Sequence, residues 1–351
     1  MVAKRVVGAA LRSQDRLPLH EVIPLTTPLA LFLDTGNACN LKCSFCPTGD
    51  KELLQKVGRK ANAMSFDLFR KIMTDLQQFD KKIKIINLYK DGEPLVNCHF
   101  PEMVQELKAA QVAEKITTKT NGLLIDDKTC ERLAQCGLDE IGISVIAPHA
   151  EGYLRVAGVK MNYERFLINI EDFYQRRGHC KMYIKMADAG FSKTEIDKFY
   201  HDFEDKCDYI AIENLHGWSM SDAKDFTLGT EKKSFDGIVL APKIACPWPF
   251  YEMGINSNGS VGLCNDDWAH KTLIGDLKTE SLKDIWNGLR MFLMRKMHLE
   301  GRRCENEACA NCYYITCSPD NIDSHREEIL NKLVRGALVP KSKTSFIVNN
   351  L

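Results

Sequence analysis

A chain of 351 residues with 47 Lys plus Arg against 47 Asp plus Glu carries no formal net charge. That balance argues against a partner held through phosphate neutralisation, so no nucleic acid is expected. Hydrophobic residues at 44% and charged residues at 27% describe a globular chain, and no apolar run nears the roughly 18 residues of a membrane span.

The first 28 residues read as an extension whose short apolar start is cut by Arg12, Asp15 and Arg16. A signal peptide is therefore not expected, and the setting is a reducing cytoplasm. From residue 29 to 216, apolar β-branched runs alternate with helical spacing. Strands are expected at 29–36, 83–90, 115–122, 140–147, 181–188 and 209–215. Helices are expected at 66–79 behind the N-cap Ser65, at 101–110, at 127–137 behind Asp126, and at 162–175 and 193–206. Six such units imply parallel strands with right-handed crossovers. A doubly wound sheet and a partial barrel both satisfy that pattern. Residues 217–239 are polar and read as a linker, 240–320 hold six cysteines and hairpin signals, and 321–351 read as a charged helix with a tail.

Fourteen cysteines in a reducing compartment hold metal more often than they pair. Cys98, Cys130, Cys136, Cys180 and Cys207 are scattered and read as core or surface residues. Cys39, Cys43 and Cys46 follow the first strand as C-x3-C-x2-C. A closed structural zinc site uses four ligands, whereas three thiolates on a [4Fe–4S] cube leave one iron open. A zinc knuckle with a distant fourth ligand is the alternative use of this spacing.

The motif, placed behind strand one of a six-fold βα array, resembles the radical S-adenosylmethionine superfamily. The resemblance covers roughly residues 29–320 and implies an α/β fold, a partial (β/α)6 TIM-type barrel followed by a small Cys-rich SPASM/twitch domain. It implies that Cys39, Cys43 and Cys46 bind a [4Fe–4S] cluster whose open iron chelates S-adenosylmethionine. Reductive cleavage would give a 5′-deoxyadenosyl radical, with flavodoxin or ferredoxin as a typical electron donor. Phe45 matches the aromatic near the adenine. Asp91-Gly92-Glu93-Pro94 is similar to the family's Gly-Gly-Glu-Pro, which meets the methionyl amino group, with Asp91 in place of the first glycine. Asn121, Ser144 and Arg155 stand where the family often faces its cofactor.

Cys246 and Cys264 are spaced C-x12-G-x4-C around Gly259, and Cys304, Cys309, Cys312 and Cys317 follow as C-x4-C-x2-C-x4-C. A C-x2-C turn and a distant pair can complete one four-ligand site, with a zinc ribbon as the alternative. The arrangement is similar to the SPASM/twitch extension. By that likeness Cys246, Cys264, Cys309 and Cys312 hold one auxiliary [4Fe–4S] cluster, and Cys304 and Cys317 stay unassigned.

An oxidative reaction follows from this logic. A substrate radical beside oxygen or nitrogen that loses one electron becomes a carbonyl or imine, and a base takes the proton. Asp266 and Asp267, just after Cys264, are the candidates for that base, although an acidic pair there also suits a solvated turn. About thirty residues before the first strand leave no room for a leader-peptide-binding domain. Short members of the family it resembles that carry one auxiliary cluster include dehydrogenases of aminocyclitols and enzymes acting on sugars, so the resemblance implies a small sugar, polyol or aminocyclitol as substrate. Modification of a peptide or protein side chain, and a non-enzymatic Fe–S or zinc scaffold, are the alternatives.

Overall fold

The structure, a computed structural model, describes residues 3–6, 17–215, 217–219, 224–229 and 242–336. Among the described residues ten strands form one sheet: β1 (Lys4–Arg5), β2 (Ala30–Leu33), β3 (Ile83–Asn87), β4 (Ala113–Thr120), β5 (Glu140–Val145), β6 (Lys181–Asp188), β7 (Tyr209–Asn214), β8 (Glu252–Ile255), β9 (Ser260–Gly262) and β10 (Leu273–Asp276). Their order is β1-β7-β6-β5-β4-β3-β2-β8-β9-β10.

The six expected strands are β2 to β7, and each pairs in parallel with its sequence neighbour. A doubly wound sheet would reverse direction at a switch point. No reversal occurs here, so the units wind one way as a partial barrel. The sheet is not closed. Beyond β2 it continues into β8, parallel to it, and then into the antiparallel β9 and β10.

Residues alternate between two faces along these strands. Leu31, Ile86, Ile116, Ile141 and Ile184 are buried in the main core. Their neighbours Phe32, Asn87, Thr117, Glu140 and Lys185 line an interior cavity on the other face. A second core, built around Trp248, Phe250, Leu299 and Ile329, lies under the C-terminal region.

The helices begin where the caps predict. Ser65 Oγ accepts from Leu68 N at 3.2 Å and opens the helix Phe66–Leu76; Asp126 accepts from Thr129 N at 2.8 Å and opens Asp127–Cys136. The short helix Ala150–Ala157 was not expected. The expected linker lies largely outside the described residues, as does the tail beyond residue 336. The charged helix near the C-terminus runs over Arg326–Gly336.

Candidate active site

The three-cysteine loop leaves the end of β2 and is fixed from two sides. Lys42 N and Ser44 N donate to the carbonyls of Ala157 and Val156 at 3.0 and 2.9 Å, so the unexpected helix Ala150–Ala157 supports the loop. The Trp218 indole N–H donates to the Phe45 carbonyl at 3.0 Å. Cys39 is the most open of the three thiols, while Cys43 and Cys46 are half-buried. Partial enclosure, with Glu93 and Cys46 adding, pushes the Cys39 thiol up to about 12. Cys43 and Cys46 are raised as well, burial being the first cause for each. Three crowded thiols that resist ionisation together suit a cationic iron–sulfur core that offsets their charge.

The turn after β3 packs directly on this loop. A Cβ at Gly92 would lie 2.1 Å from the Gly36 carbonyl oxygen and 2.5 Å from that of Ala38. Only glycine admits that approach. Glu93 is buried and joins two expected elements: its Oε1 accepts from the Thr120 hydroxyl at 2.5 Å and Leu95 N at 3.1 Å, and its Oε2 from Asn121 N at 2.7 Å. Asn121 Nδ2 then donates to Asn40 Oδ1 in the cysteine loop at 2.7 Å. Glu93, Asn121 and the thiol loop are therefore one hydrogen-bonded unit, with Pro94 opening the turn that follows.

Asp91, which stands where the likeness has glycine, turns its side chain toward a buried cluster of cations. Both its oxygens lie 3.0 Å from Lys90 Nζ, Arg59 is 3.6 Å away, and His270 Nε2 is at 2.7 Å. Burial opposes its ionisation, yet the Lys90 and Arg59 charges and the His270 bond hold the carboxyl well below the usual range.

Ser144 is half-buried on β5, shares the interior-facing parity of Glu140 and Gly142, and makes no side-chain hydrogen bond among the described residues. Arg155 sits exposed on the helix Ala150–Ala157, 3.5 Å from Glu195, and does not line the interior cavity.

Cys246, Cys264, Cys309 and Cys312 together line one gap in the C-terminal region; Cys304 and Cys317 do not border it. Among the described residues no three His, Cys, Asp or Glu side chains group as ligands of a single metal ion. Burial pushes Cys309 up to about 12 and raises the other three thiols. His298 borders the same gap, and both its ring nitrogens are buried without a hydrogen-bond partner among the described residues. Burial first, then Arg303, pushes its pKa down to about 4, so the ring is neutral. Four thiols around a gap, with an orphaned polar ring at its wall, fit an iron–sulfur cluster bound by four cysteines.

Between the two thiol sites lies an interior cavity of about 550 Å³. Phe45 of the first loop and Asn265 and Asp266 of the second both line it. Of the two expected acids, Asp266 is at the cavity wall; it accepts from Ser219 N at 3.0 Å and lies 3.6 Å from Cys312 Sγ. Asp267 is committed to its own turn, accepting from Lys271 N at 2.9 Å and from Thr272 N and Oγ1 at 2.7 Å each.

Several cavity residues had no local signal in the sequence. Glu213 accepts from Lys185 at 2.5 Å and Tyr183 at 2.8 Å, and the Lys185 and Lys119 charges with these two bonds hold it down to about 2 against its burial. Lys119 makes no ion pair among the described residues and lies 5.2 Å over the Tyr89 ring. Glu252 on β8 is buried, with one oxygen 3.4 Å from Asn265 N and the other unpartnered among the described residues. Burial, then the Asp266 charge opposed by the Asn265 bond, pushes its pKa up to about 8.

The comparisons match this geometry. The model of the radical SAM superfamily matches residues 33–199, and that of the iron-sulfur cluster-binding domain called SPASM matches 246–313. The chain is 32% identical over 130 residues to the "Tungsten-containing aldehyde ferredoxin oxidoreductase cofactor-modifying protein" of Pyrococcus furiosus, covering 37% of this chain and 34% of that one. The chain thus spans about a third of the length of the first curated relatives it matches. A longer match, 21% identical over 286 residues, covers 81% of this chain and 92% of the S-adenosyl-L-methionine-dependent 2-deoxy-scyllo-inosamine dehydrogenase of Niallia circulans. In fold the chain resembles BtrN, solved in complex with AdoMet and 2-DOIA, with a TM-score of 0.53 and 17% identity over 84% of this chain and 97% of that one. The two matched models imply S-adenosylmethionine and iron–sulfur clusters as cofactors. The chain belongs to the radical SAM superfamily and carries an iron–sulfur cluster-binding SPASM domain behind its partial barrel.

Proposed function

We propose that this protein is an oxidoreductase that dehydrogenates a small sugar, polyol or aminocyclitol inside the barrel. The observation that carries this reading is the single cavity of about 550 Å³ bordered at once by the open three-thiol loop and by the four-thiol region. That volume suits a small ligand. Its wall offers charged and hydroxyl groups from Lys119, Lys185, Glu213, Tyr183 and Glu252, a lining that can bind a hydroxylated or amino-bearing molecule. The long match to an aminocyclitol dehydrogenase supports the same class.

Cys39, Cys43 and Cys46 would hold the cluster that with S-adenosylmethionine would supply hydrogen-atom abstraction, and Cys246, Cys264, Cys309 and Cys312 would hold a second cluster able to accept one electron. What remains is one proton, and the chain's own residues must accept it. Glu140, Glu213, Glu252 and Asp266 are the acids that line the cavity, and the first two are ion-paired with Lys115 and Lys185. Glu252, with an unpartnered oxygen and a pKa near 8, is suited to exchange a proton near neutral pH. Phe45, Trp218 and Tyr251 add aromatic surface to the lining. A flavodoxin or ferredoxin in the cytoplasm would supply the electron that starts each turnover.

The test is a product assay. Anaerobically reconstituted protein is given S-adenosylmethionine, a reductant and a panel of small polyols, aminocyclitols and peptides. A small alcohol or amine that loses two hydrogens while 5′-deoxyadenosine accumulates is the expected result. Turnover of peptides alone would replace this reading with side-chain modification.

A further inference from the structure

The helix Leu289–Leu299 turns Met291, Arg295, His298 and Leu299 inward. His298 is only 1% exposed, and neither ring nitrogen has a hydrogen-bond partner among the described residues. An imidazole always carries at least one N–H donor, and leaving it unmet in the interior is costly enough to be rare. The same ring borders the gap enclosed by Cys246, Cys264, Cys309 and Cys312. Four cysteines already supply one ligand to each iron of a cube, so a fifth protein ligand has no vertex to occupy. The sulfurs of the cluster, however, accept hydrogen bonds.

We propose that His298 is a positioning residue for the auxiliary cluster: its ring N–H donates to a cluster sulfur and raises the cluster's reduction potential. The proposal rests on the reading that these four thiols bind an electron-accepting [4Fe–4S] cluster. An added electron makes the cluster more negative, and a donor aimed at its sulfur stabilises that state more than the oxidised one. Arg303 acts in the same direction. Its guanidinium donates to the carbonyls of Cys309 and Ala310, which places a fixed positive charge beside the C-x2-C turn. The gap thus has a donor and a cation on one wall, the environment an electron acceptor needs.

The experiment uses the full chain with Cys39, Cys43 and Cys46 changed to alanine, so that only the auxiliary cluster is observed. Iron and sulfide are measured first; a cluster's worth of each, about four per chain, is the starting condition. Zinc or no iron would overturn the cluster reading and the proposal together. The midpoint potential is then titrated by EPR for His298, His298→Phe and His298→Gln.

Loss of the donor in His298→Phe should weaken the hold on the added electron about tenfold, a fall of about 59 mV for one electron. His298→Gln, which keeps an N–H, should recover most of that fall. Pulsed EPR of the reduced cluster in 15N-histidine-labelled protein should detect one weakly coupled nitrogen. An unchanged potential in a well-folded His298→Phe protein overturns the role. If His298→Phe does not fold, the labelled protein with His298 intact decides: no coupling refutes the contact, and strong coupling makes His298 an iron ligand instead.

Discussion

His270 Nε2 lies 2.7 Å from Asp91 Oδ2, so a residue of the C-terminal region is bonded directly to the turn that abuts the three-cysteine loop. Asp91 also meets Lys90 and Arg59, and the three side chains are 1%, 1% and 3% exposed. The departure from glycine at this position therefore builds a buried ionic joint between the two halves of the site.

Removing the acid from that joint should be severe. Asp91→Ala leaves Lys90 and Arg59 buried without their counter-charge, and breaking a buried pair on one side costs about 3–5 kcal/mol. Denaturant unfolding under anaerobic conditions reads the loss directly. Because the folded carboxyl lies below its ordinary 3.8, the stabilisation is full above that value and declines as pH falls further. A variant as stable as the parent at pH 7 would show that the cluster contributes nothing.

Glu93 should act on cofactor binding through its fixed oxygens. In Glu93→Gln the amide group must oppose either Asn121 N–H or Leu95 N–H, since both donate to the carboxylate. Losing one such bond costs about 1–3 kcal/mol, which corresponds to a roughly tenfold rise in the Kd for S-adenosylmethionine. Equilibrium binding to the reconstituted protein measures it, and an unaltered Kd would remove Glu93 from the binding unit.

Glu252 should give the oxidation its pH dependence. A base with a pKa near 8 is active when deprotonated, so product formation should rise as pH increases through about 8. Glu252→Gln should lose that limb and fall in rate by about 10²–10⁴. Burial favours the protonated acid, so its contribution to stability is greatest below the ordinary 4.5 and declines as pH rises toward 8. The glutamine variant should lack this decline in thermal unfolding. A rate profile identical to the parent's assigns the proton to another group, with Asp266 next in line.

Replacing Cys309 and Cys312 by alanine should separate two chemical steps. Without the second cluster, 5′-deoxyadenosine should still form and carry deuterium from labelled substrate, while oxidised product falls. Retained secondary structure and retained iron in the first site are the needed controls, because loss of a metal site can unfold its domain. A folded variant that oxidises substrate at the parent rate would make that cluster structural.

The strands β2 to β7 were legible because each is a short, largely apolar run, and Ser65 and Asp126 act as helix caps as their positions imply. The helix Ala150–Ala157 was hidden because it is short and carries Gly152 in its middle. The pairing of β8 with β2 had no local signal, since its partners lie more than 200 residues apart. Thiol spacing pointed to both groups of cysteines, and the structure gathers Cys246, Cys264, Cys309 and Cys312 around one gap. Glu252 and His298 were invisible for a different reason. Neither belongs to a motif of recognisable spacing, and only the tertiary fold turns it toward a cavity.

The central claim is that two iron–sulfur sites, one open and one closed, flank a single substrate cavity. Iron and sulfide analysis of anaerobically reconstituted protein, paired with a 5′-deoxyadenosine assay, tests it most directly. The account predicts about eight irons and eight sulfides per chain, with cleavage of S-adenosylmethionine on reduction. In the Cys39, Cys43 and Cys46 alanine variant, iron should fall by one cluster and cleavage should vanish. Zinc without sulfide, or undiminished 5′-deoxyadenosine from that variant, would contradict it.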